Sequence, residues 1–467
     1  MRKKYCVLCL LLFIQIQFIF SQDDKNWDNP ENNGGWGDTL TRGAIATGET
    51  MLSNMALMLL NTTVGQPWAL PTTESIKGSF TRPWSWEVMD RFIVNQLGHQ
   101  VHGSNYFVSG RVNGFNFYES VFFNVLGSYT WETFCESQHA SMNDFVTTIT
   151  GSMASGEMLY RLHLEAYGAG IPLPVTFFIS PIGGFHILVT GGKKTPYPGK
   201  NIYQLQAYFG GGYTKTLFSL IDDQQEIFSF AGPQGDIGLN VIYGNPFEQD
   251  TIIPYRHFEL NITAGLNPGN YNNYRVISDG YLFSFSPIYS DMTAMSTGLS
   301  MHFDFVSQGS FDLDMYTSTI SQYSNALDWT IKYQHLFSEN NAVELKYHAG
   351  FTFLGTSQYY NPNSNKEASN NYGYGFNSKL FFNLENKKLG RLETDILAYV
   401  LWPYSETTYL SGTTLWLFAN ITYSHFILKN FSIGTTGSLS MEWGFFDNYP
   451  DTKKRIEAIK VFVAWNL

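Results

Sequence analysis

The stretch from Asn95 to Arg161 gathers residue types that can move protons, hold cations or lock one another in place. His99 and His102 are three apart, so on a helix they share a side. With a carboxylate such as Glu119, Glu132 or Asp144 nearby, two imidazoles can ligate a metal or relay protons. The helical zinc-protease pattern needs histidines at i and i+4 with a glutamate between them, and that spacing is absent. Two satisfied structural histidines are therefore favoured over a metal site, and no metal or cofactor is assigned. Glu157 and Arg161 are four apart and can pair on one helix face, at a surface for only a few tenths of a kcal/mol. Buried, that pair would need further partners. With Arg111 these residues make up the candidate polar cluster: His99, His102, Arg111, Glu119, Glu132, Asp144, Glu157 and Arg161. Glu132 and Glu136 read equally well as solvated or helix-terminal charges. No nucleophile elbow, phosphate loop or dinucleotide fingerprint accompanies the cluster.

The segments that carry it are helical in pattern. From Trp84 to about Ala166 the polarity is mixed rather than alternating, and Phe117–Phe134 and Asp144–Glu165 contain no proline. Gly151, Ser155 and Gly156 put small residues on one side of a helix, which lets a neighbour approach closely. Pro172, Pro174 and Pro181 then break the pattern. Upstream, Glu49–Asn61 suits one short helix, and the Asn/Asp/Gly-rich residues from 22 to about 45 read as a mobile N-terminus.

The polar string is specific. It runs His99-x-x-x-Gly103-x-x-Tyr106, Arg111-x-Asn113-Gly114-Phe115, Trp131-Glu132, and Asn143-Asp144 through Gly156-Glu157-x-x-Tyr160-Arg161. Over Trp84 to Leu162 it resembles domain-of-unknown-function family 3943, an uncharacterised family found in bacterial outer-membrane proteins. In similar sequences a proline follows the first histidine, where Gln100 stands here. The resemblance implies an envelope location and carries no activity with it.

From about Asn201 the rhythm changes to a period of two. Phe258–Ala264, Leu299–Phe305, Leu327–Gln334 and Val343–His348 exchange apolar and polar residues at every step, as strands with two unlike faces do. Aromatic residues are 17% of the chain and charged ones only 14%, against about 25% charged in soluble domains. Tyr, Trp and Phe cluster near run ends, as an aromatic girdle requires, and the polar positions mix Asp, Glu, Lys, His and Asn, as a wet lumen would. A soluble sandwich alternates too, but those two features and the final alternating run Ile459–Leu467 favour a membrane barrel. That last run resembles the C-terminal signal read by the barrel-assembly machinery, with Leu467 in the usual aromatic place. Gly210-Gly211-Gly212 reads as a backbone kink.

Arg2, Lys3 and Lys4 before the apolar stretch Tyr5–Phe20 have the layout of a signal peptide. Beyond it the only cysteine is Cys135, so no internal disulfide is available. A net charge of −11 with 28 Lys and Arg argues against nucleic-acid binding.

The sequence thus predicts an α+β chain in which a transmembrane antiparallel β-barrel of about 12–14 strands is preceded by a small helical module. Its expected parts are a signal peptide over 1–21, a flexible N-terminus with a short helix over 22–75, the helical module over 76–170 and the barrel over 171–467. The expected setting is the outer membrane of a diderm bacterium, with outer-membrane lipid and the barrel-assembly machinery as partners. The favoured function is a structural or transport role in the envelope, the helical module lying in or beneath the lumen as plug or dock. The alternative is an envelope enzyme acting on lipid or glycan through the histidines and a carboxylate.

Overall fold

The computed structural model describes residues 36–466 except 87–91, 193–199, 222–225, 248–249, 268–270, 311–317, 361–367, 405–411 and 448–449. The expected signal peptide and the residues from 22 to 35 lie outside the described residues. The chain divides into two compact units. One is helical and comes from the chain up to Trp86 and from Gly98–Lys200, and the other joins Glu87–Leu97 to Asn201–Leu467.

The helical unit contains α1 (Trp36–Thr63), α2 (Thr73–Thr81), α3 (His99–Val112), α4 (Phe117–Phe134), α5 (Met142–Gly168), α6 (Leu173–Ile179) and α7 (Pro181–Thr190). Helix α1 begins well before the expected Glu49, and the reason is tertiary. Its polar first turns have no apolar stripe, but Arg42 pairs with Asp38 at 3.0 Å and donates to the carbonyls of Asn113 and Gly114. Helices α6 and α7 fall inside the range expected for the barrel. Pro172 and Pro181 sit at helix starts, where the missing N–H is not needed, rather than at a transition to strands. The small-residue face of α5 behaves as expected: a β-carbon on Gly151 would collide with Gln100 of α3, and one on Gly156 with Phe107. Between them, the hydroxyls of Ser104 and Ser155 meet at 2.7 Å. Among the described residues no helix is long and apolar enough to cross a membrane.

The second unit is a closed antiparallel barrel of twelve strands, at the lower end of the expected range. In order these are β1 (Ile202–Leu220), β2 (Glu226–Tyr243), β3 (Phe258–Leu266), β4 (Tyr271–Tyr289), β5 (Thr293–Ser310), β6 (Ser318–Ser338), β7 (Asn341–Tyr360), β8 (Ala368–Asn386), β9 (Gly390–Pro403), β10 (Gly412–Leu428), β11 (Phe431–Phe446) and β12 (Thr452–Asn466). Each pairs with its sequence neighbour, and β12 returns to β1 from Gln206↔Asn466 to Leu220↔Thr452. The triple glycine is not a kink: pairing between β1 and β12 runs through it without a register shift. A β-carbon on Gly212 would fall on the Ile459 carbonyl, so the glycine permits close approach at the closing seam.

Period-two alternation maps onto the two faces of the wall. On β12, Ile459, Val461, Val463 and Trp465 are exposed on the outer side. Trp329, Tyr347, Phe351, Ile421 and Ile433 continue the apolar exterior on other strands. An even-numbered closed barrel with such an exterior is the outer-membrane architecture, because closure leaves no strand edge to desolvate in lipid. The short β6–β7, β8–β9 and β10–β11 turns lie on the rim where β1 begins and β12 ends, as in bacterial outer-membrane barrels.

Residues 92–97 pack on the wall rather than inside it. Phe92 stacks on Phe305 of β5 at 5.6 Å, and Gln96 donates to the Tyr372 hydroxyl of β8 at 2.9 Å. Phe305 alternates with Asp304 and Val306, and Tyr372 shares the row of exposed Tyr374 and Phe376, so both belong to the outer rows. This segment is therefore not a lumenal plug.

Gly212→Val should block closure between β1 and β12. The expected outcome is loss of the compact, heat-modifiable band that folded barrels give on SDS gels.

Candidate functional site

The eight expected residues separate into two groups, buried except for half-buried His99, and one helix cap. Glu119 is the cap. Its carboxylate accepts from the Asn116 backbone N–H at 2.9 Å while the Asn116 side chain accepts from the Glu119 N–H at 2.9 Å, a reciprocal capping box that starts α4. It has no part in either group.

The first group holds His99, His102, Glu132 and Asp144. His99 Nδ1 is 3.2 Å from the Thr148 hydroxyl, and its Nε2 is 3.9 Å from Asp144. The His102 ring lies 4.8 Å from that of Tyr106 and meets the edge of Trp131 at 4.9 Å. Tyr106 donates to the Asn54 side chain. Burial, and then the nearby His99, push the His102 imidazole down to about 3, so it is neutral at any physiological pH. Glu132 and Glu136 are both buried, which removes the solvated one of their two readings. Burial followed by the neighbouring carboxylates of Glu136 and Asp144 holds Glu132 well above the usual carboxylate range. Burial likewise pushes the Cys135 thiol up to about 11.

The local bonds show what the acids do. Glu132 accepts from the Ser141 backbone N–H at 2.8 Å, and the Ser141 hydroxyl accepts from the Asp144 N–H at 3.3 Å as the N-cap of α5. Asn143 bridges them, accepting from Ser141 and donating to Asp144, both at 2.8 Å. The group fastens the end of α4 to the start of α5.

The second group is Arg111, Glu157 and Arg161. Glu157 receives two bonds from Arg111, at 2.8 and 3.2 Å, and pairs with Arg161 at 2.8 Å. Arg111 also donates to the Phe115 carbonyl at 2.7 Å, and its guanidinium lies 4.7 Å from the centre of the Tyr160 ring. All three charged side chains are buried. The i,i+4 pair read from the sequence is therefore a dry triad whose further partner is Arg111 of α3.

The densest charge cluster lies elsewhere, in the barrel lumen. Lys332 of β6 reaches Glu259 of β3 at 2.8 Å and Asp279 of β4 at 3.2 Å, and its ammonium is 2.5 Å from His257 Nε2. Lys346 of β7 joins the same two carboxylates, meeting Asp279 at 3.0 Å and pairing with Glu259. Lys379 of β8 bonds Asp304 of β5, which also accepts from the Tyr399 hydroxyl of β9 at 2.6 Å. Beside these charges Val306, Leu397, Tyr399, Trp416, Phe418 and Ile456 form an apolar cluster from four strands. Arg275 of β4 lies 5.0 Å from the centre of the Phe418 ring on β10, on the opposite wall. The wet lumen expected from the alternation is thus bridged by side chains, because twelve strands enclose a space that long residues can span. Sequence reasoning passed over these residues, although Glu259, His302, Asp304, Asp328, Lys332, Lys346 and His348 all sit at the polar steps of the alternating runs.

Comparison with known proteins bears on both units. A family model, Domain of unknown function (DUF3943), matches residues 83–170. The resemblance read from the motif string is to this family, and the match contains both buried groups and the cap. No curated protein matches the chain at a significant level. Among solved structures, a Pseudomonas aeruginosa FadL homologue is 8% identical, covering 56% of this chain and 90% of its own, with a TM-score of 0.23. The P. putida toluene transporter TodX is 8% identical over 56% of this chain and 90% of its own, with a TM-score of 0.22. The translocator domain of the autotransporter NalP from Neisseria meningitidis is 9% identical over 60% and 92%, with a TM-score of 0.23. At such scores the case for the barrel rests on its own strand ladder.

Two outcomes test the buried groups of the DUF3943 region. Glu132 holds its proton more tightly in the fold than when unfolded, so its contribution is full below about pH 4.5 and is lost as pH rises. His102 has the opposite sign: its contribution is full above about pH 6.5 and is lost as pH falls towards 3. Glu132→Gln should therefore raise the melting temperature of the helical signal at 222 nm at pH 8 and change it little at pH 4. Arg111→Ala strips Glu157 of its bidentate partner and should cost the helical unit about 3–5 kcal/mol. Thermal melts at 222 nm measure the loss, with the barrel's heat-modifiable band as the control.

Proposed function

We propose that the protein is a closed outer-membrane scaffold that carries the DUF3943 region in the cell envelope, and that solute crosses it only when the lumenal network rearranges. The observation that carries this reading is the meeting of side chains from distant strands: Lys332 and Lys346 with Glu259 and Asp279, and Arg275 with Phe418. Two ammoniums against two carboxylates balance in charge, so the quartet can stay in a partly dry interior. An open pore would leave these groups to water. Outer-membrane lipid is the natural partner of the apolar exterior, and the outward row of β12 is the feature that the barrel-assembly machinery would read.

The enzyme alternative draws no support from the helical groups. His102 is buried and neutral, and Glu132 and Asp144 are engaged at a helix cap.

Planar-bilayer recording tests the closed-scaffold reading. The refolded protein should show no steady conductance. The Lys332→Met/Lys346→Met variant should conduct, because Glu259 and Asp279 left without their ammoniums draw in water and cations. A steady, porin-sized conductance from the unaltered protein would overturn the reading.

A further inference from the structure

We infer that the barrel wall holds a divalent transition-metal ion on His302, Asp328 and His348, joining β5, β6 and β7 on the lumen side. One ligand atom from each of the three lies within 4.8 Å of the other two. His302 Nε2 and Asp328 Oδ2 are already 3.3 Å apart, about the spacing of two ligands on a tetrahedral ion with bonds of ~2.0–2.1 Å. The His302 and His348 rings stand edge to face at 4.6 Å.

Neighbours set the orientation of the ligands, as metal sites require; at His302 the Ser300 hydroxyl lies 2.8 Å from Nε2, a contact the ion would take over. His348 Nδ1 is 2.7 Å from the Thr330 hydroxyl, which leaves Nε2 for the cluster. Asp328 Oδ1 accepts from Asn377 at 2.9 Å, which leaves Oδ2. Among the described residues neither His348 Nε2 nor Asp328 Oδ2 has a hydrogen-bond partner, and all three side chains are fully buried at 0% exposure. A buried carboxylate oxygen and imidazole nitrogen in that condition are costly unless something binds them.

A neighbouring cluster supplies the contrast. His257, Glu259 and Asp279 offer the same ligand types, but the Lys332 ammonium stands among them and is itself the cation. At His302, Asp328 and His348 no ammonium among the described residues bonds the ligand atoms; Asp279 Oδ2, held by Lys346, lies 3.8 Å from His348 Nε2. Lys379 sits on the far side of the His302 ring, 2.8 Å from Nδ1 and bonded to Asp304; since Nε2 ligation leaves the ring proton on Nδ1, filling the site turns this ammonium to Asp304 alone. Two imidazoles and one carboxylate suit zinc, cobalt or ferrous iron, with a remaining position for water. Because the ligands are buried, the ion enters while the barrel assembles.

The test is refolding of the full chain with Co2+, followed by removal of excess metal. One equivalent should remain, with visible ligand-field bands, and His348→Gln and Asp328→Asn should weaken retention by ~100-fold or more. Lys379→Met removes a nearby positive charge and should tighten it. Absence of retained cobalt in the unaltered protein, or equal retention by His348→Gln, overturns the site. Should the variants fail to fold, X-ray absorption of the cobalt protein decides: imidazole scattering supports the site and an oxygen-only shell overturns it. Bilayer conductance is a separate readout, so this result and that of the closed-scaffold reading can be told apart.

Discussion

Every peptide N–H and C=O that enters a bilayer must find its partner within the protein, since hydrocarbon offers none. In this chain that constraint is met by the return of β12 to β1, which turns an open sheet into a ring without edges. Much else follows from it. Apolar side chains occupy the outer rows, polar ones turn inward, and Gly212 sits where the last and first strands draw close. The wall of twelve strands also fixes how far apart opposing side chains stand.

That distance governs the interior. Lysine, arginine and tyrosine side chains are long enough to reach across it, so Lys332 and Lys346 meet carboxylates on β3 and β4 and Arg275 meets Phe418. Burial makes each charge expensive alone and acceptable in balanced groups. The quartet around Glu259 and Asp279 is balanced by lysines. Among the described residues the trio of His302, Asp328 and His348 has no such cation at Asp328 Oδ2 and His348 Nε2, and this difference is what singles it out.

The helical unit applies the same rule on a smaller scale. Its charged residues Arg111, Glu132, Asp144, Glu157 and Arg161 are buried and hold helices together. Glu157 joins α3 to α5 through Arg111, Glu132 ties α4 to the cap of α5, and Glu119 starts α4. The glycines of α5 make these contacts possible by letting α3 lie close.

Features set by residues close in sequence were legible without a structure. The two-residue rhythm identified the strands and their apolar face, Gly151 and Gly156 marked a packing face, and the motif string pointed to the family. The Asn116-x-x-Glu119 spacing carries a cap in the same local way, although Glu119 was grouped with candidate site residues. Partnerships between distant residues were not legible. Arg111 with Glu157, Lys332 with Glu259, and the meeting of His302, Asp328 and His348 depend on helix packing and strand register, which bring together positions 46 and 73 residues apart in the two pairs and on three strands in the trio. The early start of α1 belongs with them, since Arg42 secures it through carbonyls beyond α3. Periodicity and capping act over one turn or one pleat, so sequence alone reveals them. Which buried charges become neighbours is decided only when the barrel closes and the helices dock.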